Sequence, residues 1–324
     1  MKHPSSPTSR RGFLRRIAPA ALVLTSDPFG NRTRGATPSP VSIPSIRLGA
    51  PVFSPQDDPE LFALAHKELG YRAAYAPNVQ LGDRDRINAF VKAFQKQDIA
   101  IAEVGRWVNL MDPDPVKRKA NLKTVTEGLA LAEELGAGCC VDIGGSFNPE
   151  VWFGPHPDNL SAAAFDLAVE NARAVIDAVR PQRAKFAYEM MGWCIPHDVD
   201  TYLRLIQSID RPAFGVHLDP CNLVNSPERF YQNSALIQDC FDRLGPWIVS
   251  CHAKDLAWEV ELNVHFVEVM PGTGSIDYPT FLACLAKHPA HPPLMIEHLA
   301  DAAAYDQARR FIMKTGSAAG IDFG

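Results

Sequence analysis

KFAYEM, residues 185–190, is a short apolar run that ends beside a carboxylate, Glu189. Three later runs share this pattern and end at or beside an acidic or imidazole side chain: AFGVHLD (213–219), IVSCH (248–252) and LMIEH (294–298). Short apolar runs bounded by polar residues predict buried β-strands. The sequence between one run and the next is long enough for about one helix, which is typical of parallel strand–helix units. The four runs therefore predict a closed parallel barrel whose strand ends meet at one mouth.

The same alternation of strands and helices begins at residue 46 and gives eight strand–helix units. Eight units make a (β/α)8 TIM barrel, a single-domain α/β fold of about 250 residues. We therefore predict one barrel domain over residues 45–324. The predicted helices cover residues 59–69, 85–97, 115–135, 161–179, 199–208, 227–244, 278–287 and 302–314. A longer connection, residues 256–277, follows the seventh strand.

The residues at the four strand ends form a candidate metal site. Its predicted ligands are three carboxylates and one imidazole: Glu189, Asp219, Glu297 and His252. Such an oxygen-rich set suits Mn²⁺ first, and also Mg²⁺, Co²⁺ or catalytic Zn²⁺. Taken alone, the two Glu could form salt bridges, Asp219 could form a turn before Pro220, and His252 could be a core residue. Their common position at the predicted mouth favours the metal site.

Composition and charge exclude several classes of protein. The chain has 324 residues, of which 46% are hydrophobic and 21% charged, an ordinary globular balance. Its net charge of −5 and pI of about 6.1 argue against a nucleic-acid partner, because phosphate contacts require a basic surface. No apolar run reaches the roughly 18 residues of a membrane span. Seven cysteines without a CxxC pair predict buried thiols rather than a disulfide framework.

Residues 1–44 have the character of a targeting segment. The stretch SRRGFLR, residues 9–15, resembles the twin-arginine export motif, and a short apolar stretch follows it over residues 17–24. We therefore predict a twin-arginine signal peptide and linker over residues 1–44. This prediction implies a periplasmic or extracellular destination and the twin-arginine export machinery as a partner. A basic tail without a targeting role is the alternative.

Further motifs follow the strand ends in a fixed order. They are Tyr188-Glu189, Leu218-Asp219-Pro220, His252-Ala253-Lys254-Asp255, Pro271-Gly272-Thr273-Gly274 and Ile296-Glu297, with Asn109-Leu110 and Arg118 earlier in the chain. Over residues 46–315 this order resembles the xylose isomerase-like barrel superfamily, which includes sugar phosphate isomerases, epimerases and endonuclease IV. The resemblance implies a divalent-metal enzyme that isomerises or epimerises a keto or aldo sugar through an enediolate. It implies that Glu189 and Glu297 both bind the metal and exchange the proton, whereas the other two ligands only bind the metal.

One residue departs from the family pattern. Many relatives place a His three residues after the strand-6 Asp, where this chain has Asn222. An amide can hydrogen-bond but cannot take up a proton, so Asn222 argues against an ordinary ketohexose epimerase. It also argues against endonuclease IV, which uses that His in a three-zinc cluster with further His on earlier strands. The earlier strands of this chain provide Tyr75 and Glu103 instead.

Polar and aromatic side chains after the strand ends are candidates for substrate binding. The candidates are Trp107, Asn109, Trp193, His197, Asn222, Lys254 and Asp255. Trp152 and Trp258 fall in similar loops, and flat aromatic faces can stack on the C–H surface of a sugar ring. Ordinary packing explains at least two of the tryptophans, and Lys254 could simply pair with Asp255. The tryptophan-rich loops favour a sugar or glycoside substrate.

Three functional classes fit these residues. The first is a metal-dependent sugar isomerase or epimerase. The second is a lyase or dehydratase that performs β-elimination on a 3-keto-glycoside or inosose-like substrate, and the predicted export favours it. The third is a sugar-binding barrel without catalysis. By analogy with relatives, the barrel is expected to form a homo-oligomer.

Overall fold

The closed barrel predicted from the sequence is present. The computed structural model describes residues 45–54 and 57–324, so the predicted export signal lies outside the described residues. The strands, in chain order, are β1 (Leu48–Gly49), β2 (Ala73–Tyr75), β3 (Ala100–Gly105), β4 (Cys139–Asp142), β5 (Lys185–Glu189), β6 (Phe214–Leu218), β7 (Ile248–Ala253), β8 (Asp255–Trp258), β9 (Phe266–Val269) and β10 (Leu294–Ile296). Eight of them pair in parallel and close in the order β1-β10-β7-β6-β5-β4-β3-β2. β8 and β9 form a separate antiparallel hairpin.

Helices connect the barrel strands and bury their apolar faces against them. They are α1 (Pro59–Glu68), α2 (Arg84–Lys96), α3 (Pro115–Leu135), α4 (Ala162–Val179), α5 (Val199–Ile209), α6 (Pro227–Tyr231), α7 (Asn233–Leu244), α8 (Tyr278–Lys287) and α9 (Ala302–Ala318). Asp58, Asp114 and Ser161 each precede a helix and accept hydrogen bonds from its first-turn N–H groups. Over residues 45–54 and 57–324, none of the helices has the length and apolar character needed to cross a bilayer.

The helix predicted over residues 227–244 is wrong in one respect, because α6 and α7 are separate helices. Asn233 explains the break between them. Its Nδ2 donates to Phe230 O at 2.8 Å and to Ser275 O at 3.0 Å, while its Oδ1 accepts from Asp277 N at 2.8 Å. A side chain that bonds to backbone groups in this way competes with the helical ladder. The break therefore ties this connection to the segment that precedes α8.

The other differences from prediction lie at the ends of elements. β7 ends at Ala253, and β8 and β9 form a hairpin in the connection predicted over residues 256–277. α9 continues to Ala318 instead of ending at residue 314. Within this extra turn, a Cβ at position 316 would lie 2.5 Å from the Phe323 ring, so Gly316 allows the helix to pack directly on the C-terminal segment.

The carboxylate of Asp255, the first residue of β8, holds the turn that follows β9. Its two oxygens accept backbone N–H groups from Leu256, Gly272, Gly274 and Ile276 at 2.9–3.0 Å. Gly272 has a φ of +93°, a conformation that other residues rarely adopt. The Pro-Gly-x-Gly turn found in the sequence is therefore a structural motif that encloses a buried carboxylate.

Candidate metal centre and substrate cavity

Four strand ends bring the predicted metal ligands together. Glu189 is the last residue of β5, and His252 is the penultimate residue of β7. Asp219 and Glu297 directly follow β6 and β10. One ligand atom from each of the four lies within 4.8 Å of the others. Asp219 and His252 have no exposed surface and Glu189 is 4% exposed, so this carboxylate cluster is a buried feature of the mouth.

The imidazole of His252 lies between two of the carboxylates. Its Nδ1 is 3.2 Å from Glu189 Oε1 and 2.8 Å from Glu297 Oε1. Lys254 Nζ lies beside the same group, 3.0 Å from Asp219 Oδ2 and 2.7 Å from Glu297 Oε1. Buried charges require compensation, and these two side chains supply the positive charge that the three carboxylates need.

The donor atoms of the cluster fit a divalent cation. Asp219 Oδ2 and Glu297 Oε1 are buried and make no hydrogen bond of regular geometry, although Lys254 Nζ lies 3.0 and 2.7 Å from them. Buried oxygens without hydrogen bonds require an explanation, and an ion is one. Three carboxylates and one imidazole nitrogen are also ligand types that Mn²⁺ and Mg²⁺ accept. The residues present are therefore suited to hold such a cation.

Burial and neighbouring charges have opposite effects on the pKa values of the carboxylates in the cluster. Burial favours the neutral carboxylic acid, but the charge and hydrogen bond of His252, helped by Lys254, lower the pKa of Glu189 below its ordinary value. His252 likewise lowers the pKa of Glu297 against the effect of burial. At Asp219 burial dominates and raises the pKa to about 6, although Lys254 opposes it. Both Glu side chains are therefore ionised near neutral pH and able to bind a cation or accept a proton.

A second buried group lies behind His252, inside the barrel. Glu103 Oε1 is 3.0 Å from His252 Nε2, and Glu103 Oε2 is 2.9 Å from His217 Nε2 and 2.7 Å from Ser250 Oγ. None of these side chains is more than 1% exposed. A carboxylate on one ring nitrogen fixes the orientation of an imidazole, and here it directs Nδ1 of His252 toward the carboxylate cluster. Burial would raise the pKa of Glu103, but the two imidazoles hold it well below its ordinary value.

Sequence reasoning did not find this role of Glu103. The available signal was an acidic residue inside the apolar run IAIAEVG, residues 99–105, where a buried charge needs a partner. The partners lie 114 and 149 positions away along the chain. No local pattern could therefore have identified them.

Asn222, the position that departs from the family pattern, supports the cluster. Its Nδ2 donates to Glu189 Oε1 at 3.0 Å and to Met190 O at 3.1 Å. Its Oδ1 accepts from Lys254 Nζ at 3.3 Å. The amide uses its donor and acceptor ends together, so it holds the Glu189 carboxylate and the Lys254 ammonium in fixed positions.

A cavity of about 770 Å³ opens beside the carboxylate cluster. Its volume falls in the range of about 300–1,000 Å³ that is typical of small-molecule sites. Trp107, Asn222 and Lys254 line it. The Trp107 ring lies 6.4 Å from the His252 ring, and Gly105 permits this position because a Cβ there would lie 2.7 Å from Trp107 Nε1. Three of the predicted substrate-binding residues thus face the cavity.

The other predicted substrate-binding residues do not line this cavity. Asn109 is buried and bonds to the backbone of the loop after β4. His197 Nε2 lies 3.3 Å from Thr201 Oγ1, and Asp255 is enclosed by the turn described above. Trp193 is 59% exposed and lines a neighbouring cavity. For these four residues a substrate contact stays a prediction, without a position in the cavity wall.

β4 ends in a buried carboxyl group that the sequence analysis did not single out. Asp142 Oδ1 accepts the N–H groups of Val108 at 3.2 Å and Ile143 at 2.8 Å. Its Oδ2 is buried and has no hydrogen-bond partner. Burial raises the pKa of Asp142 well above its ordinary value. Burial in the folded protein therefore favours the neutral form of this group.

We expect Asp142→Asn to stabilise the fold by about 1–3 kcal/mol near neutral pH, because an amide keeps the acceptor and, unlike the carboxyl group, does not have to take up a proton when the chain folds. The sign follows from the raised pKa. The stabilisation that this carboxyl group gives the fold is fully present below its unfolded-state pKa of about 3.9. It is lost as the pH rises through the higher folded-state pKa. Calorimetry should give the variant a higher Tm than the wild type at pH 8, with a smaller difference at pH 5. An equal or lower Tm at both values would contradict a neutral carboxyl.

Solved structures with this fold include several barrels of low sequence identity. A xylose isomerase-like TIM barrel protein from Mycobacterium smegmatis, in complex with magnesium, is 18% identical with a TM-score of 0.58, covering 84% of this chain and 96% of that chain. The 3-keto-D-glucoside 4-epimerase YcjR from E. coli is 14% identical with a TM-score of 0.61, covering 83% and 100%. A probable 3-DHS dehydratase from Bacillus anthracis is 12% identical with a TM-score of 0.59, covering 82% and 97%. At these identities the likeness shows the fold alone.

The family comparison covers most of the chain. The model described as "Xylose isomerase-like TIM barrel" matches residues 63–315, a range that includes all four members of the carboxylate cluster. No curated protein matches the chain. The matched range agrees with the closed parallel barrel and exceeds half of the sequence. The chain therefore belongs to the xylose isomerase-like TIM barrel family.

Proposed function

We propose that this protein is a divalent-metal-dependent sugar isomerase or epimerase that moves a proton through an enediolate on a keto or aldo sugar. The observation that carries the proposal is the convergence of four ligand residues beside one cavity. Solved barrels of the same fold include a sugar epimerase and a magnesium complex, which supports both halves of the proposal. Manganese is the first choice of cation, because the ligands are rich in oxygen and include one imidazole.

In the proposed reaction, two carboxylates of the cluster move the proton. A cation held there would supply Lewis-acid polarisation of a substrate carbonyl, which acidifies the neighbouring C–H group. Glu189 and Glu297 approach from β5 and β10, which two other strands separate in the barrel. One of them can therefore remove a proton from one side of the sugar. Return by the same carboxylate to the neighbouring carbon gives an isomer, whereas delivery by the opposite carboxylate to the other face of the original carbon gives an epimer.

In the proposed reaction, Lys254 stabilises negative charge on a substrate oxygen. Its Nζ lies 2.7–3.7 Å from carboxylate oxygens of Asp219, Glu189, Glu297 and Glu268. Burial opposes its charge, but these carboxylates outweigh burial and raise the pKa of Lys254 above its ordinary value. An ammonium held in this position donates hydrogen bonds without reorganising, which favours an anionic transition state over the neutral substrate.

β-Elimination is the second candidate reaction, as a lyase or dehydratase. One carboxylate would remove the proton beside the carbonyl, and a second acid would protonate the leaving oxygen on the β-carbon. The cavity favours this candidate because its volume exceeds what a single sugar ring requires. A dehydratase is also among the solved structures of this fold.

Export and assembly remain proposals that rest on the sequence. The twin-arginine-like stretch SRRGFLR, residues 9–15, supports a periplasmic or extracellular location. A homo-oligomer is proposed by analogy with the family only. The small-sugar substrates named for solved barrels of this fold support a sugar as the partner molecule.

Proton exchange in D₂O tests the proposed reaction directly. The full chain, loaded with Mn²⁺ or Mg²⁺, is incubated with D-fructose and with methyl 3-keto-β-D-glucopyranoside, and the sugars are followed by NMR. Deuterium at a carbon beside the carbonyl, with a new isomer or epimer, would support the proposal. Release of methanol from the glucoside would identify the elimination instead. Absence of both deuterium uptake and methanol release with every sugar and metal would overturn the enediolate chemistry.

A further inference from the structure

The cavity has an apolar wall that the proposed proton transfer does not use. It is formed by aliphatic and aromatic side chains: Val79, Leu131, Ile143, Trp152 and Phe153. Phe153 is 44% exposed and packs edge-on against Trp152, with ring centroids 5.4 Å apart. Apolar rings that line a cavity and remain open to solvent indicate a surface that a ligand covers.

Buried polar side chains fix the loop that carries this wall. Ser146 and Asn159 are 0% and 1% exposed. Ser146 Oγ donates to Gly154 O at 2.8 Å, and Asn159 Nδ2 donates to the same carbonyl at 3.0 Å and to Trp193 O at 2.9 Å. Gly154 directly follows Phe153, so the aromatic pair lies beside an anchored position. A wall fixed before binding loses little further freedom when a ligand arrives.

The charges of the cavity disfavour an anionic substrate. The acidic residues that line it are Glu103, Glu189, Glu268 and Glu297. Two of the three cationic lining residues that the structure describes face carboxylates. His298 Nδ1 is 2.9 Å from Glu268 Oε2 and Lys254 is surrounded by carboxylates, whereas Arg106 donates to Gly105 O at 2.9 Å. A phosphate group on the ligand would therefore meet more acidic than basic side chains in the cavity wall.

We propose that the substrate is a neutral glycoside whose aglycone is a flat apolar group, such as an aromatic ring. The sugar occupies the end of the cavity beside the carboxylate cluster, and the aglycone lies on the wall formed by Trp152 and Phe153. The position of the sugar rests on the proposed function, and the aglycone extends that function by naming the other half of the ligand. A volume of about 770 Å³ lies in the upper part of the usual small-molecule range and accommodates both parts.

Phenyl and methyl β-D-glucopyranoside form a matched pair of probes for this wall. They share the sugar, differ in the aglycone, and lack the carbonyl that the reaction requires. With the metal-loaded full chain, we expect calorimetric titration to show that the phenyl compound binds about tenfold more tightly than the methyl compound. One buried aromatic contact contributes about this much binding free energy. Trp152→Ala and Phe153→Ala should each remove most of this preference and leave the affinity for methyl glucoside unchanged. Trp258→Ala is the matched control, because this exposed tryptophan on β8 does not line the cavity.

The outcomes separate this inference from the proposed reaction. Equal affinities for the two probes, or a Trp258→Ala effect as large as that of Phe153→Ala, would overturn the aglycone wall even if sugars are turned over. Selective loss of the phenyl preference at Trp152 and Phe153 would establish the wall. If this selectivity is found and the D₂O experiment shows no chemistry, the ligand assignment stands and the proposed reaction fails.

Discussion

Replacing Glu297 by Gln is expected to lower kcat for the natural sugar substrate by about 10²–10⁴, the usual contribution of a positioned acid or base. The amide has nearly the shape of the carboxylate but cannot accept a proton. It also removes one negative charge from the group that faces His252 Nδ1 at 2.8 Å. Turnover is measured by NMR with the metal-loaded variant, and circular dichroism checks that the barrel remains folded.

A matched substitution serves as the control for this prediction. Glu68→Gln makes the same chemical change on an exposed side chain of α1, and its kcat should equal that of the wild type. If kcat of the Glu297→Gln variant falls by less than tenfold while the cation is still bound, the carboxylate does not move a proton. Glu189→Gln should behave like Glu297→Gln if the two form an acid–base pair.

Removal of divalent cations by a chelator should abolish turnover, and addition of Mn²⁺ should restore it. A cation present at 100 times its Kd stabilises the fold by about 2.7 kcal/mol. For a barrel of this size, that corresponds to a rise of about 4–6 °C in Tm. Thermal melts with and without Mn²⁺ measure the shift without reference to activity.

Two clusters of possible ligands provide the comparison for this experiment. Asp219→Asn should lose the Mn²⁺-dependent shift in Tm, because Asp219 supplies a buried oxygen without a hydrogen bond. His265 belongs to an exposed group with Glu259 and Glu261 near the tip of the β8–β9 hairpin. His265→Ala should keep the full shift. The reverse result would place the cation on the hairpin and remove it from the barrel mouth.

The barrel and its four clustered residues could be predicted because both depend on short-range patterns. Apolar runs such as KFAYEM (185–190) predict strands, and a parallel barrel necessarily brings the ends of its strands to one mouth. Residues at those ends, such as Glu189, can therefore be placed without knowing any contact. The position of each loop residue depends on packing against residues that are distant in the sequence, so the local sequence pattern does not predict it.

The motif His252-Ala253-Lys254-Asp255 illustrates this limit. Side chains alternate along an extended chain, so His252 and Lys254 both point to the carboxylate cluster while Asp255 points away. The spacing alone permits this interpretation, but it does not show that four backbone N–H groups enclose Asp255. Glu103 presents the same difficulty, because its partners lie on two distant strands. Asn233 likewise interrupts a helix through bonds to a segment more than forty positions later.

Lys254 has a consequence for the folding of the barrel. Its ammonium balances buried carboxylates at the ends of β5, β6 and β10. The barrel can therefore complete its folding before a cation arrives, since the core is not left with an unpaired cluster of negative charge. A cation that binds later would add its charge to a cluster that the lysine has already balanced in part. A protein built in this way can stay folded before any cation binds.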